Sequence, residues 1–208
     1  MKFEQTFLKA IMAGVYIGIA GLIYLSIPNV IVGALFFSFG LLVILSRDYS
    51  LYTGKVGYLI PYQQGYLKML SITLLGNLLG ILTIARLFRL SGVNEVILRG
   101  ANLYQAKLDN AWYQTLILAI FCGMMMYIAV DSYRKSKLDS LKVLFVIMAV
   151  AIFILAKFEH SVANMLYLFL GNTFTFQGFL WLIIMIIGNG IGGVLLNIVE
   201  TKLDKNIN

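Results

Sequence analysis

The single histidine of this 208-residue chain lies in residues 158–165, which read FEHSVANM and follow a long apolar run. Four polar residues cluster there: Lys157, Glu159, His160 and Asn164. Ionisable groups at membrane depth are costly and usually mark a transport pathway or a proton relay. Imidazole suits such a site because its charge changes near neutral pH. The alternative is a structural histidine satisfied by a neighbouring helix, but the clustering of polar residues favours a functional site.

The composition indicates a membrane protein. Hydrophobic residues make up 61% of the chain and charged residues 12%, whereas soluble domains have about 25% charged residues. The length allows about six spanning helices with short connections, so we expect one transmembrane domain over residues 1–208 and no soluble domain. The single cysteine, Cys122, excludes an internal disulfide and a cysteine-cluster metal site. We expect no cofactor and no metal.

Apolar runs predict six spans, and two of them are interrupted. The first run is longer than a typical signal-peptide core, so we interpret it as a retained helix. Arg47-Asp48-Tyr49-Ser50 interrupts the second span, which resumes weakly to residue 60, and residues 157–160 interrupt the fifth. A polar connection over residues 89–110 joins the third span to the fourth. The spans cover about residues 9–27, 30–46, 67–88, 112–132, 141–170 and 179–199.

The interruptions fall at corresponding places in two halves, about residues 1–92 and 107–208. Such a pattern is typical of inverted-repeat transporters with a site at the membrane midplane. The third spans also correspond, since GNLLG occupies residues 76–80 and GNGIG residues 188–192. Freed backbone at a break must be buried or must line an aqueous cavity, and a half-helix N-terminus attracts anions. We therefore predict an all-α integral membrane protein of two inverted three-helix repeats, with helices 2 and 5 broken, around an anion pore.

Basic residues predict the orientation, because cytoplasmic loops carry the excess of lysine and arginine. If the protein lies in a cell membrane with both termini on the cytoplasmic side, ten basic residues lie inside and four outside. This bias explains much of the net charge of +7, and no nucleic-acid partner is expected. The inner residues are Lys2, Lys9, Lys55, Lys68, Arg134, Lys135, Lys137, Lys142, Lys202 and Lys205, and the outer ones are Arg86, Arg89, Arg99 and Lys107.

Several stretches resemble the formate/nitrite transporter family. The segment FEHSVANM is similar to the family's F-E-H-S-I-A-N-M, nearly letter for letter. Residues 37–41, FSFGL, resemble its F-x-x-G-L stretch, and residues 51–54, LYTG, resemble its L-F-T-G loop. AKL at 106–108 and WYQ at 112–114 are similar to its A-K-L and W-W-Q patterns. The resemblance implies an aquaporin-like fold and a homopentamer with one pore in each protomer.

The resemblance also implies roles for individual residues. Phe37 and Leu41, joined by Leu51 and Tyr52, would form one apolar constriction, and Phe153 the second, on either side of His160. Thr53 would be the hydroxyl partner of His160. Lys107 would lie in the external vestibule, concentrate anions and favour a neutral imidazole. The remaining vestibule residues would be Lys157, Glu159 and Asn164.

This chain also departs from the family pattern. Gly123 stands where the family often has asparagine, so a pore-facing amide would be lost. Ser50 replaces an acidic residue, and Arg47-Asp48 and Lys157 stand where small or apolar residues are usual. We expect Lys157 to pair with Asp48 or Glu159, or to extend into a vestibule and attract anions.

The expected function is passage of small monovalent anions of weak acids, such as formate, nitrite, hydrosulfide, acetate or lactate. A proton shared with His160 would neutralise the anion, and the neutral acid would cross the apolar constrictions at lower cost.

Two alternatives belong to other classes. An aquaporin-type pore for neutral solutes would show paired Asn-Pro-Ala loops, but the only prolines are Pro28 and Pro61. A membrane enzyme would need a base with an orienting carboxylate. Glu159 is adjacent to His160 and cannot share its helix face, so we expect no enzyme activity.

Overall fold

The computed structural model describes residues 3–172 and 174–205, and this part of the chain is helical. Lys2, which the orientation argument counts, lies outside the described residues, as do both chain ends. A short 3-10 helix, Val56–Leu59, follows α3. The α-helices are α1 (Phe3–Ser26), α2 (Val30–Ser46), α3 (Tyr52–Lys55), α4 (Tyr66–Arg89), α5 (Asn94–Leu108), α6 (Trp112–Lys135), α7 (Asp139–Leu155), α8 (Ser161–Gly171) and α9 (Phe176–Lys205).

Four of the described helices are long and apolar enough to cross a membrane, namely α1, α4, α6 and, over Phe176–Asp204, α9. The apolar helices α2 and α8 are shorter. The long helices pack as two pairs, α1 with α4 and α6 with α9, and α2 lies against α7. Every residue from 161 to 170 in α8 is buried, so α8 lies at the centre of the bundle.

The chain leaves helical geometry between α2 and α3 and between α7 and α8, near the expected positions. In both places one residue has a left-handed backbone, Asp48 at φ 51° and Lys157 at φ 57°. The next N–H then donates back across the helix end at 2.8 Å, from Tyr49 to the Ile44 carbonyl and from Phe158 to the Phe153 carbonyl. This is a Schellman ending, which satisfies carbonyls that the helix leaves free. The same backbone motif therefore ends α2 and α7.

Both breaks then bond to the long helix beside them in the same way. The Ser50 N–H donates to the Lys9 carbonyl of α1, and the Glu159 N–H donates to the Leu118 carbonyl of α6, each at 3.2 Å. Backbone groups that leave a helix among apolar segments need such partners, because a lipid environment could not satisfy them.

The segment expected as a polar connection contains a helix, α5, which the sequence analysis did not predict. Besides its charged residues, α5 has a buried face formed by residues four apart, Val96, Gly100, Tyr104 and Leu108. Such a face is the pattern of an amphipathic helix. The Arg99 guanidinium donates to the carbonyls of Leu25 and Ile27 at 2.9 Å. Helix α5 thus lies against the end of α1, at one end of the bundle.

Candidate functional site

His160 is buried at the N-terminus of α8, with 2% of its surface exposed. Its Nδ1 accepts the backbone N–H of Ala163 at 3.0 Å. An accepting nitrogen carries no proton, so the ring is neutral with its proton on Nε2. Nε2 lies 2.9 Å from Thr53 Oγ1 and therefore donates to that hydroxyl. The site thus joins an uncharged imidazole to a threonine from the other half of the chain.

The aromatic residues beside His160 form one group. The Phe153 ring stacks on the imidazole with centroids 5.5 Å apart, and the Phe37 ring meets Phe153 edge-on at 5.9 Å. We expected Phe37 and Phe153 to belong to two constrictions on either side of His160. Their mutual contact places them together instead, because the crossing of α2 and α7 brings both residues to one point.

The other residues expected at a constriction are buried near the first break. Leu41 is 1% exposed and Leu51 is 2% exposed. Leu51 is the N-cap residue of α3, the position that His160 occupies in α8. The Tyr52 hydroxyl donates to the Ile186 carbonyl of α9 at 3.1 Å, which fixes this ring between the halves.

A cavity of about 430 Å³ extends from His160 to α5. Its lining combines cations, amides and aromatic rings, so it can hold a small polar solute beside the imidazole. The lining includes Tyr24, Leu103, Lys107, Phe153, Lys157, Glu159, His160, Asn164 and Tyr167.

An ion pair lies beside this cavity. Lys107 Nζ is 2.6 Å from Glu159 Oε2, and the side chains of these residues are 15% and 2% exposed. The Asn164 amide donates to the same Oε2 at 2.9 Å and to the His160 carbonyl at 3.0 Å. The lysine charge is therefore balanced by a carboxylate one residue from the histidine, and α5 supplies that lysine.

Lys157 has neither of the carboxylate partners that we considered. Asp48 pairs with Lys9 at 2.5 Å, and Glu159 pairs with Lys107. Lys157 itself is exposed and lines the cavity. Its left-handed backbone favours glycine, which adopts this conformation more easily than any other residue, and nothing in the structure explains the lysine.

Gly123 does not face the cavity, which corrects the expectation of a lost pore-facing amide. A Cβ at this position would overlap the backbone carbonyl of Asn189 in α9. Gly14 meets the carbonyl of Asn77 in α4 in the same way. Both glycines let a pair of long helices approach closely, and side chains at these positions would separate them.

Two asparagines support the breaks. Asn77 donates to the carbonyls of Ala10 and Ser50 and accepts the N–H of Tyr52, at 2.8–2.9 Å. Asn189 makes the corresponding bonds in the second half of the chain. Sequence reasoning treated GNLLG and GNGIG only as glycine packing motifs. The asparagine that follows the first glycine in both copies was the signal that could have found these residues.

Comparisons with known proteins agree with this architecture. A solved "FNT family ion channel" superposes with a TM-score of 0.85 at 21% identity, covering 96% of this chain and 90% of that chain. A "Pentameric formate channel with formate bound" superposes with a TM-score of 0.74 at 22% identity, covering 99% and 95%. At these identities the likeness establishes the fold.

Curated relatives are similar in sequence. The formate channel FocA of Escherichia coli K12 is 29% identical over 184 residues, which cover 77% of this chain and 64% of the relative. FocA of Haemophilus influenzae is 27% identical with the same coverage. The chain thus spans less than two thirds of the length of these relatives. The profile described as "Formate/nitrite transporter" matches residues 1–200. The chain therefore belongs to the formate/nitrite transporter family.

Proposed function

We propose that this protein passes small monovalent anions of weak acids, such as formate, nitrite, hydrosulfide, acetate or lactate, through a pore beside His160. The observation that carries the proposal is the buried neutral imidazole, bonded to Thr53 and open to a cavity with two lysines. The formate channels among its relatives support the same substrate class.

The proposed architecture has six membrane crossings in two inverted repeats, about residues 1–92 and 107–208, within one transmembrane domain. Helices α2–α3 form the broken second crossing, and α7–α8 the broken fifth. The matching backbone bonds of the two breaks support this assignment. The protein would lie in a cell membrane with both termini on the cytoplasmic side. A homopentamer is proposed because the structural neighbour that binds formate is pentameric.

The proposed mechanism begins at the cavity below α5. Lys157 and the Lys107–Glu159 pair give this cavity its charged groups, and the exposed lysine attracts the anion. The anion then reaches His160, where the imidazole and Thr53 hold it. A proton taken up from solution neutralises the anion at this point, while the Nε2–H of the neutral imidazole donates a hydrogen bond to it and is not lost. The neutral acid then crosses the apolar surroundings of Phe37 and Phe153 at lower cost than a dehydrated charge.

The geometry is less suited to an enzyme. A general-base histidine is usually oriented by a carboxylate on its second nitrogen. Here Nδ1 accepts a backbone N–H, and the Glu159 carboxylate bonds Lys107 and Asn164 instead.

The decisive experiment is uptake by proteoliposomes of a panel of solutes: formate, nitrite, hydrosulfide, acetate and lactate as anions, and glycerol and water as neutral solutes. We expect saturable uptake of at least one anion, carried by the protein and faster at acidic external pH. Protein-free liposomes measure passive diffusion of the neutral acids.

Uptake of glycerol or water alone would support the aquaporin-type alternative. Turnover of an acyl or peptide substrate by the purified protein without anion uptake would support a membrane enzyme. Either result overturns the proposal.

A further inference from the structure

We propose that Asn77 and Asn189 are a matched pair of positioning residues that together set the hydrogen bond between His160 and Thr53. Asn189 of α9 donates to the carbonyls of Ala119 and Glu159 at 2.8 Å and accepts the N–H of Ser161 at 2.9 Å. Its amide thus joins the long helix α6 to both sides of the second break. The inference rests on the proposed function for its effect on transport, but its structural claim stands without it.

Asn77 of α4 makes the corresponding bonds in the first half. It donates to Ala10 of α1 and to Ser50 before the break, and it accepts from Tyr52 after the break. Each asparagine is 0% exposed. Both N–H groups and the oxygen of each amide are used, so the orientation of each amide is fixed. The amide is the side-chain group that can donate twice and accept once at such a place, which a carboxylate or a hydroxyl cannot do.

The two amides act on neighbours of the residues that meet in the pore. Tyr52 precedes Thr53, and Ser161 follows His160. The bond between Thr53 Oγ1 and His160 Nε2 joins short helices from opposite halves. Each short helix is held at its first backbone N–H by an asparagine of a long helix. A shift of either short helix would lengthen the bond, because hydrogen bonds weaken within a few tenths of an ångström.

The glycines opposite the asparagines support this role. Gly14 lies against the Asn77 backbone and Gly123 against the Asn189 backbone, where a Cβ would overlap a carbonyl. Each amide therefore reaches across a close helix contact and not across a flexible gap. The close helix contacts α1–α4 and α6–α9, which lie outside the breaks, therefore fix the positions of Thr53 and His160.

The test uses the single histidine as a spectroscopic probe. With ¹⁵N-histidine as the labelled amino acid, the two ring nitrogens of His160 give the only imidazole signals of the chain. We expect an unprotonated Nδ1 and a protonated Nε2 in the wild type. In Asn189→Ala we expect both ring signals to move, because the N-terminus of α8 that bonds Nδ1 is released. In Asn77→Ala we expect mainly the Nε2 signal to move, because Thr53 is displaced.

Asn197→Ala is the matched control. Asn197 is another buried asparagine of α9, which bonds the Tyr127 hydroxyl and the Ile60 carbonyl. Its loss should leave both histidine signals unchanged. Spectra are compared only for preparations with the wild-type oligomer size. Anion flux in the two positioning variants should fall by roughly tenfold to a hundredfold, as expected for misplaced groups at a working site.

Unchanged ring signals in Asn77→Ala and Asn189→Ala oligomers would overturn the inference, whatever the flux. If neither variant assembles, Asn77→Ser and Asn189→Ser replace them. The shorter hydroxyl cannot make the three bonds of the amide, so unchanged signals there overturn the inference equally. If the ring signals move in the variants but the wild-type protein transports no anion, the positioning role is supported and only the proposed function is contradicted.

Discussion

The two nitrogens of His160 have different tasks. Nδ1 completes the start of α8 by accepting the Ala163 N–H, and Nε2 faces Thr53. A protonated ring has donors on both nitrogens and no acceptor, so an imidazolium would lose the bond to Ala163. Protonation of His160 would therefore destabilise the N-terminus of α8, and the neutral ring is favoured as long as the bond from Ala163 is made.

Replacing His160 with asparagine should separate these tasks. Asparagine is a good N-cap residue, so α8 should keep its start and the oligomer its size. The amide cannot titrate, so the flux of a weak-acid anion should lose its dependence on pH or change its ion selectivity. The measurement is flux against pH in liposomes for wild type and variant. Identical pH profiles and selectivities would make His160 only a structural residue.

Two substitutions of Lys157 should separate its charge from its backbone strain. Both Lys157→Gly and Lys157→Ala remove the cation from the cavity, so both should raise the anion concentration needed for half-maximal flux. Only glycine relieves the left-handed backbone at φ 57°, which should raise stability by about 1 kcal/mol. Thermal stability of the detergent-solubilised oligomer reports this difference. Equal stabilities for the two variants would contradict the strain, and unchanged anion affinity would show that the lysine does not attract substrate.

The pair of Lys107 and Glu159 should behave as a unit. Lys107→Met leaves a carboxylate that is 2% exposed without its cation, which should cost about 3 kcal/mol. The double variant Lys107→Met/Glu159→Gln should recover most of that stability. The four proteins of this cycle are compared by thermal unfolding. Additive losses would show that the two side chains do not interact.

At this scale the sequence predicted the residues better than their contacts. His160 was nominated by its type and by the polar residues around it, and Thr53 and Lys107 by the family resemblance of the stretches that contain them. The contact between Phe37 and Phe153 depends on how two helices cross, and the pairing of Glu159 with Lys107 depends on the position of α5. Neither can be obtained from spacing along the chain, because the partners come from separate segments.

Among the elements, the ends of α2 and α7 were predictable and the helix α5 was not. Polar residues inside an apolar run are conspicuous, so the breaks at Asp48 and Lys157 follow from composition. In α5 the charges outweigh the buried stripe of Val96, Gly100, Tyr104 and Leu108 in average hydropathy, and only a search for four-residue spacing distinguishes the helix from a loop.

The close contact of α6 with α9 gives a prediction for Gly123. Gly123→Ala should push α9 away, because a Cβ would overlap backbone and not a movable side chain. We expect a loss of about 1–3 kcal/mol, with a similar loss for Gly14→Ala in the other half. Gly190→Ala is the control in α9, since a Cβ there meets only side-chain atoms of Val56 and Tyr52 at 3.2 and 3.5 Å. Equal thermal stabilities of all three variants would contradict this account.

For the molecule as a whole, the proposed orientation can be tested with introduced cysteines. The native Cys122 is buried, so it should not react with a membrane-impermeant maleimide. Ser91 lies between α4 and α5, Ser140 lies at the start of α7, and both are exposed. In intact cells Ser91→Cys should be labelled, whereas Ser140→Cys should be labelled only after permeabilisation. The reverse pattern would place both termini outside the cell.

The breaks are alike in backbone but unlike in side chains. At equivalent places Asp48 corresponds to Lys157, Ser50 to Glu159 and Leu51 to His160. A passage built from two identical inverted halves would conduct equally in both directions. Rectification, a different conductance for inward and outward flow, must therefore originate in the positions where the copies differ. These three pairs are among such positions.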